Sequence, residues 1–137
     1  MANPFNAFND NRPLVIGGAY NASKAIAGSQ GVLAKGSVLG VITASGLLRL
    51  TAIGNGDGSE VPRFVITKEE GIDTGVGVSV SQEVLKAGVV NGELLVFGNA
   101  ETLDSVVAAL GMTNDDLLKA NGIIAVRGTD LEAYDNT

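Results

Sequence analysis

Glu69, Glu70 and Asp73 form the densest group of carboxylates in the chain. A carboxylate pair does acid–base chemistry only when its surroundings drive the two pKa values apart. Here the neighbours Lys68, Gly71 and Thr74 point to a solvated loop, where no burial would divide the roles. The glycines at 54, 56 and 58 have the spacing of a phosphate-cradling loop in part only. The closing x-x-Gly and the Lys-Ser/Thr are missing, and the strand-like VPRFVIT follows instead of a helix N-terminus. Asn55, Asp57, Ser59 and Glu60 place oxygens as a calcium loop begins, yet the twelfth position, where a bidentate Glu belongs, is Ile66. Asx and glycine residues closing a tight turn on their own backbone account for the same letters. Ser59, Ser79, Ser81 and Ser105 have no histidine to activate them and no Ser-x-x-Lys combination in its place.

The composition narrows the chemistry further. Among 137 residues there is no cysteine and no histidine. That removes disulfides, thiolate nucleophiles, thiolate zinc sites and the Ser–His and Cys–His pairs. We therefore expect no catalytic residue, no cofactor and no metal. With 45% hydrophobic and 18% charged residues, the chain has the length and apolar content of one globular domain. No stretch approaches the roughly 18 apolar residues of a membrane span, and the first twelve residues lack the blocks of a signal peptide, so a cytoplasmic origin and no membrane partner are expected. Residues 1–56 carry a charge of +3 and residues 57–137 a charge of −9. Nucleic-acid binding needs clustered Lys and Arg, so protein is the expected partner.

The elements that would position any site are short. Runs at 38–43, 47–52, 61–67, 76–80 and 93–97 are rich in Val, Ile, Leu or Thr and bounded by Gly, Asn, Asp or Ser, which predicts strands. Ala44-Ser45-Gly46 reads as a hairpin loop and residues 54–59 as a wider turn. Val76, Val78 and Val80 alternate with Gly77 and Ser79, a strand with one buried face. Pro62 costs a ladder bond and argues for an edge strand. Residues 14–30 mix a short apolar piece with Gly17, Gly18, Asn21, Ser23, Gly28 and Ser29, predicting irregular surface structure. Ser81 reads as the cap of a short helical turn ending at Gly88. In residues 102–110, Leu103, Val106, Val107 and Leu110 fall at i, i+3, i+4 and i+7, the spacing of an amphipathic helix. Thr113 with Asp116 has the capping-box spacing for a second helix, closed by Asn121-Gly122, and residues 123–127 predict a last strand. The fold class is mainly β (α+β), with two or three short helices. Three regions follow: a flexible N-terminal arm (1–13), one β-rich domain (14–127) and an acidic C-terminal tail (128–137).

The arm holds four Asn, two Pro and only two large apolar residues, Phe5 and Phe8. Asn side chains compete with regular backbone pairing, and each proline extends its predecessor. Two aromatic anchors on a polar leader fit a segment that orders on a partner, for instance by adding a strand to a sheet edge. A leader with two incidental aromatics remains the alternative.

Residues 32–46, VLAKGSVLGVITASG, followed by Asp57-Gly58-Ser59, by Asn91-Gly92-Glu93-Leu94 and by Leu118-x-x-x-Gly122-Ile123, resemble the lambda-type bacteriophage head decoration proteins. The resemblance spans roughly residues 31–127, and its motif positions are Lys35, Gly36, Leu39, Gly40, Gly46, Asp57 and Gly58. It implies a short-stranded β-tulip or β-clip-like domain forming a homotrimer. Such a trimer sits on the outside of the expanded head, bound to the major capsid protein of a tailed phage, and stabilises the shell against internal DNA pressure. The arm would then supply the capsid contact through Asn3, Pro4, Phe5, Phe8 and Arg12, a role assigned without a letter-by-letter match. Two other readings stay open: a β-clip or hammerhead-like module binding a small ligand or carbohydrate, and a small enzyme using carboxylates alone.

Overall fold

A computed structural model describes residues 13–127. Its strands are β1 (Val15–Ala27), β2 (Val32–Leu33), β3 (Val38–Val41), β4 (Leu48–Leu50), β5 (Phe64–Val65), β6 (Ile72–Asp73), β7 (Ser79–Asn91), β8 (Val106–Val107), β9 (Met112–Thr113) and β10 (Ile123–Val126). One α-helix, α1 (Asn114–Ala120), lies among the described residues, with 3₁₀ turns at Ile53–Asn55, Gly92–Leu94 and Gly98–Ala100. The protein is mainly β. No described helix is long and apolar enough to cross a membrane.

The principal sheet runs β1-β4-β3-β5-β7-β10, and an additional pairing of β1 with β7 closes its first five strands into a ring. β7 is the long wall of that ring. It pairs antiparallel with β1 along its length, with β5 at Leu85, and then in parallel with β10 over Gly88–Asn91. Because successive strand residues point to opposite faces, the wall serves two cores. Val84 packs with Ile26, Leu39, Leu48, Phe64 and Ile66. Its neighbour Leu85 packs on the other side with Val38, Val65, Phe97, Leu118 and Ile123. The helix and the C-terminal strands cover that second side.

Several expectations from the sequence are corrected. Residues 14–30 are not irregular: β1 is a thirteen-residue strand, with register shifts between Val15 and Asn21 absorbing Gly17 and Gly18. Pairing to β7 satisfies its backbone, so poor strand formers are tolerated on its exposed side. Residues 82–87 are not a helical turn; they lie inside β7, where Val84 and Leu85 are both fully buried. Val76 and Val78 are not the buried face of a strand. They are 96% and 83% exposed in the turn before β7, with Gly75 at φ +68°. The run 93–97 begins as a 3₁₀ turn and contributes only the bridge Ser37↔Val96. β5 is no edge strand: it lies between β3 and β7, and Pro62 precedes the paired residues, so no ladder bond is lost.

The predicted helix over 102–110 is absent, which leaves one α-helix among the described residues where two or three short helices were expected. Ser105 Oγ accepts from Thr102 N at 3.0 Å, and Ser105 N donates to Thr102 O at 3.1 Å, closing a local turn that competes with a helix. Leu103 and Val107 are buried, whereas Val106 and Leu110 are 53% and 50% exposed. The second helix forms as read. Thr113 Oγ1 accepts from Asp116 N at 3.1 Å, and the chain leaves through Asn121 and Gly122, the latter at φ +93°.

Candidate functional site

The motif residues divide between two places. Asp57, Gly58 and Gly40 come together where residues 54–61 lie across the β3–β4 hairpin. A Cβ on Gly40 would sit 2.3 Å from Ser59 O and 2.6 Å from Val61 O, so the loop rests directly on the strand. Gly58, at φ +101°, faces Thr43 in the same way. Gly46 closes the hairpin, at φ +76° with its N–H donating to Ile42 O at 2.8 Å. Leu39 is fully buried in the barrel. Lys35 and Gly36 lie apart from this cluster. Lys35 Nζ is 2.8 Å from Glu69 Oε1, and Gly36 donates to Ile66 O at 2.8 Å and accepts from Val96 N at 2.9 Å. These positions build and brace the domain.

The oxygens of the 55–60 loop are turned on one another. Asp57 Oδ1 accepts from both the hydroxyl and the N–H of Ser59, Asn55 Nδ2 donates to Ser59 Oγ at 2.8 Å, and Glu60 Oε1 accepts from Gly58 N at 2.8 Å. Arg49 Nη1 reaches Asp57 Oδ2 at 2.8 Å. The Ser59 hydroxyl, with help from the Ser59 N–H and Arg49, outweighs partial burial and lowers the Asp57 pKa from 3.8 to about 2. A carboxylate depressed in the folded state stabilises it above its ordinary value and loses that contribution as pH falls toward the folded value. Asp57→Asn should therefore cost about 1–2 kcal/mol at pH 7, allowing for solvent screening. The gap to the native chain should close between pH 3.8 and about 2. Chemical denaturation across that range checks it; a constant gap would contradict it.

The geometry with most bearing on function lies where the two ends of the described chain meet. Pro13 is exposed and Leu14 is 2% exposed, so the chain enters the core within one residue. Leu14 O accepts from Asn91 N at 2.7 Å, Val15 stands opposite Val90, and Val126 stands opposite Asn91. Pro13 and Arg127, the first and last described residues, therefore lie at the same end of the domain. The arm positions Asn3, Pro4, Phe5, Phe8 and Arg12, and the tail 128–137, lie outside the described residues.

A cavity of about 330 Å³ opens at this end. Its apolar lining comes from Leu95, Phe97 and Leu103, and charged groups come from Glu93, Glu101, Asp104 and Arg127. Arg127 Nη2 lies 2.9 Å from Asp104 Oδ1 and 3.3 Å from Asp115 Oδ2. Partial burial opposes its charge, but the two carboxylates outweigh this and raise its pKa. Glu101 takes a bifurcated hydrogen bond from Ile53 N at 3.0 and 3.1 Å. Sequence reasoning missed this grouping, since its residues come from three separated stretches and no local pattern joins them.

Comparison with protein-family models, with curated proteins and with solved structures found no match.

Proposed function

We propose that this chain is a structural protein, a homotrimeric decoration and cementing component on the outside of a tailed-phage head. In this reading it grips the major capsid protein, uses no cofactor and transforms no substrate, and its closed ring with a covering layer is the β-tulip of the decoration proteins. The observation that carries the proposal is that the two ends of the described chain, Pro13 and Arg127, lie at one end of the domain. Among the described residues the buried core begins at Leu14, and in the sequence Phe5 and Phe8 stand before it. The motif glycines add support. Gly36 and Gly40 each stand where a Cβ would collide with backbone, which is why the letters that carry the resemblance are glycines here.

The test is co-sedimentation with purified expanded and unexpanded heads, read with the solution mass. A trimer that binds expanded heads alone is expected. A monomer indifferent to both would overturn the proposal. The cavity favours a second reading, a β-clip or hammerhead-like module for a small ligand or carbohydrate. A monomer whose cavity residues respond to a glycan would support it.

A further inference from the structure

We propose that Asn55 is a self-modification site, where the backbone nitrogen of Gly56 displaces the side-chain amide and so unties the loop laid across β3; this is independent of the decoration reading. The sequence holds three Asn-Gly pairs, at 55–56, 91–92 and 121–122. In such a pair the glycine nitrogen can attack the Cγ of its neighbour, because no side chain crowds the approach. The N–Cγ bond forms, the Cγ–Nδ2 bond breaks, and ammonia leaves with the proton of the glycine N–H. Water then adds to either carbonyl of the cyclic imide and opens it, leaving aspartate or isoaspartate. Water is the only co-reactant.

The fold separates the three pairs. Asn91 is 1% exposed, and a Cβ on Gly92 would lie 2.8 Å from Leu103 Cδ1 and 3.1 Å from Val126 O, so neither water nor a turning peptide plane has room. At 121–122 the nucleophile is engaged, since Gly122 N donates to Lys119 O at 3.1 Å. Freeing it costs one hydrogen bond, a factor of about ten in rate. The leaving amide does not discriminate, because Asn121 Nδ2 is held by Leu117 O and Pro62 O much as Asn55 Nδ2 is held by Leu50 O and Ser59 Oγ. What differs at 55–56 is the nitrogen. Gly54 and Gly56 are exposed, with open space where a Cβ would stand, and no acceptor among the described residues takes the Gly56 N–H. Water reaches the proton that must be lost, and a glycine on each side lets the backbone at Asn55 turn.

The reaction destroys a specific tie. Asn55 Nδ2 joins the loop to β4 at Leu50 O, 3.0 Å away, and to Ser59 Oγ, 2.8 Å away. A carboxylate has no hydrogen to give, and the Ser59 hydroxyl already donates its one to Asp57. The product oxygen therefore faces two acceptors and adds a negative charge to the loop that holds Asp57.

Trypsin places the three pairs on separate peptides, residues 50–63, 87–119 and 120–127, so mass mapping of the full-length chain tests the site. During ageing in warm, mildly alkaline buffer, the peptide 50–63, whose only asparagine is Asn55, should gain a single mass unit about tenfold faster than 120–127. Conversion at Asn91 should be slower still, and in urea the three rates should converge. Equal rates in the folded chain, or an order that persists undiminished in urea, would overturn the assignment. Asn55→Asp, one of the two products, should lower Tm by about 5 °C. An unchanged Tm would overturn the untying. Should that variant not fold, the aged native chain decides: its Tm should fall as peptide 50–63 converts, and a constant Tm would overturn the untying equally.

Discussion

A chain lacking residues 1–13 should keep its fold and its subunit number and lose measurable binding to expanded heads. Among the described residues the core starts at Leu14, whose carbonyl is tied to Asn91 N, and Pro13, the one described residue that this truncation removes, is exposed. The expected loss is large because it is multiplied. In the trimer proposed above, once one arm has engaged, the other two would bind at high effective concentration, raising avidity by about 10²–10⁴. Removing all three removes the product, not a single contact. Unchanged occupancy on expanded heads, measured by co-sedimentation, would dismiss the arm as the gripping element. If the positive N-terminal half faces an acidic shell, binding by the native chain should also weaken modestly as salt is raised.

The largest effect on stability should come from Gly40→Val. The new Cβ would lie 2.3 and 2.6 Å from two backbone carbonyls of the loop that crosses β3, and neither oxygen can move without lifting that loop. Overpacking against backbone should cost about 3 kcal/mol or more, lowering Tm by roughly 10 °C. Gly46→Ala isolates the other reason for a glycine. It has open space around it but sits at φ +76°, so it should cost only about 1 kcal/mol. Thermal unfolding of the two variants side by side checks the order. If Gly40→Val were the milder of the two, the close approach of loop and strand would be wrong.

What could be read from the sequence was what local chemistry dictates. The 44–46 hairpin, the 54–59 turn and the capped helix announced themselves because glycine, Asx and Thr113 act on their own backbone. β1 was hidden because its Gly, Asn and Ser residues are strand-competent only when β7, some sixty residues away in sequence, pairs with them. The helical reading of 102–110 failed because a Thr102–Ser105 turn sets the backbone; Leu103 is buried in the second core, and Val107 is buried as well. Val76 and Val78 had the alternation of a strand, but the positive φ of Gly75 turns that segment away from the sheet. The candidate site was the least legible part. Glu93, Glu101 and Arg127 meet only because β10 runs parallel to the end of β7 and returns the chain to Asn91.

Serving two cores from one wall also governs how the molecule opens. Val84 and Leu85 are neighbours in the chain, yet each anchors a different cluster, so loosening the strand forfeits both at once. Neither the barrel nor its cover has a private foldon, and the amides in the middle of β7 should be the last to exchange with deuterium, at the free energy of global unfolding. A particle component built this way would resist proteolysis until it failed as a whole.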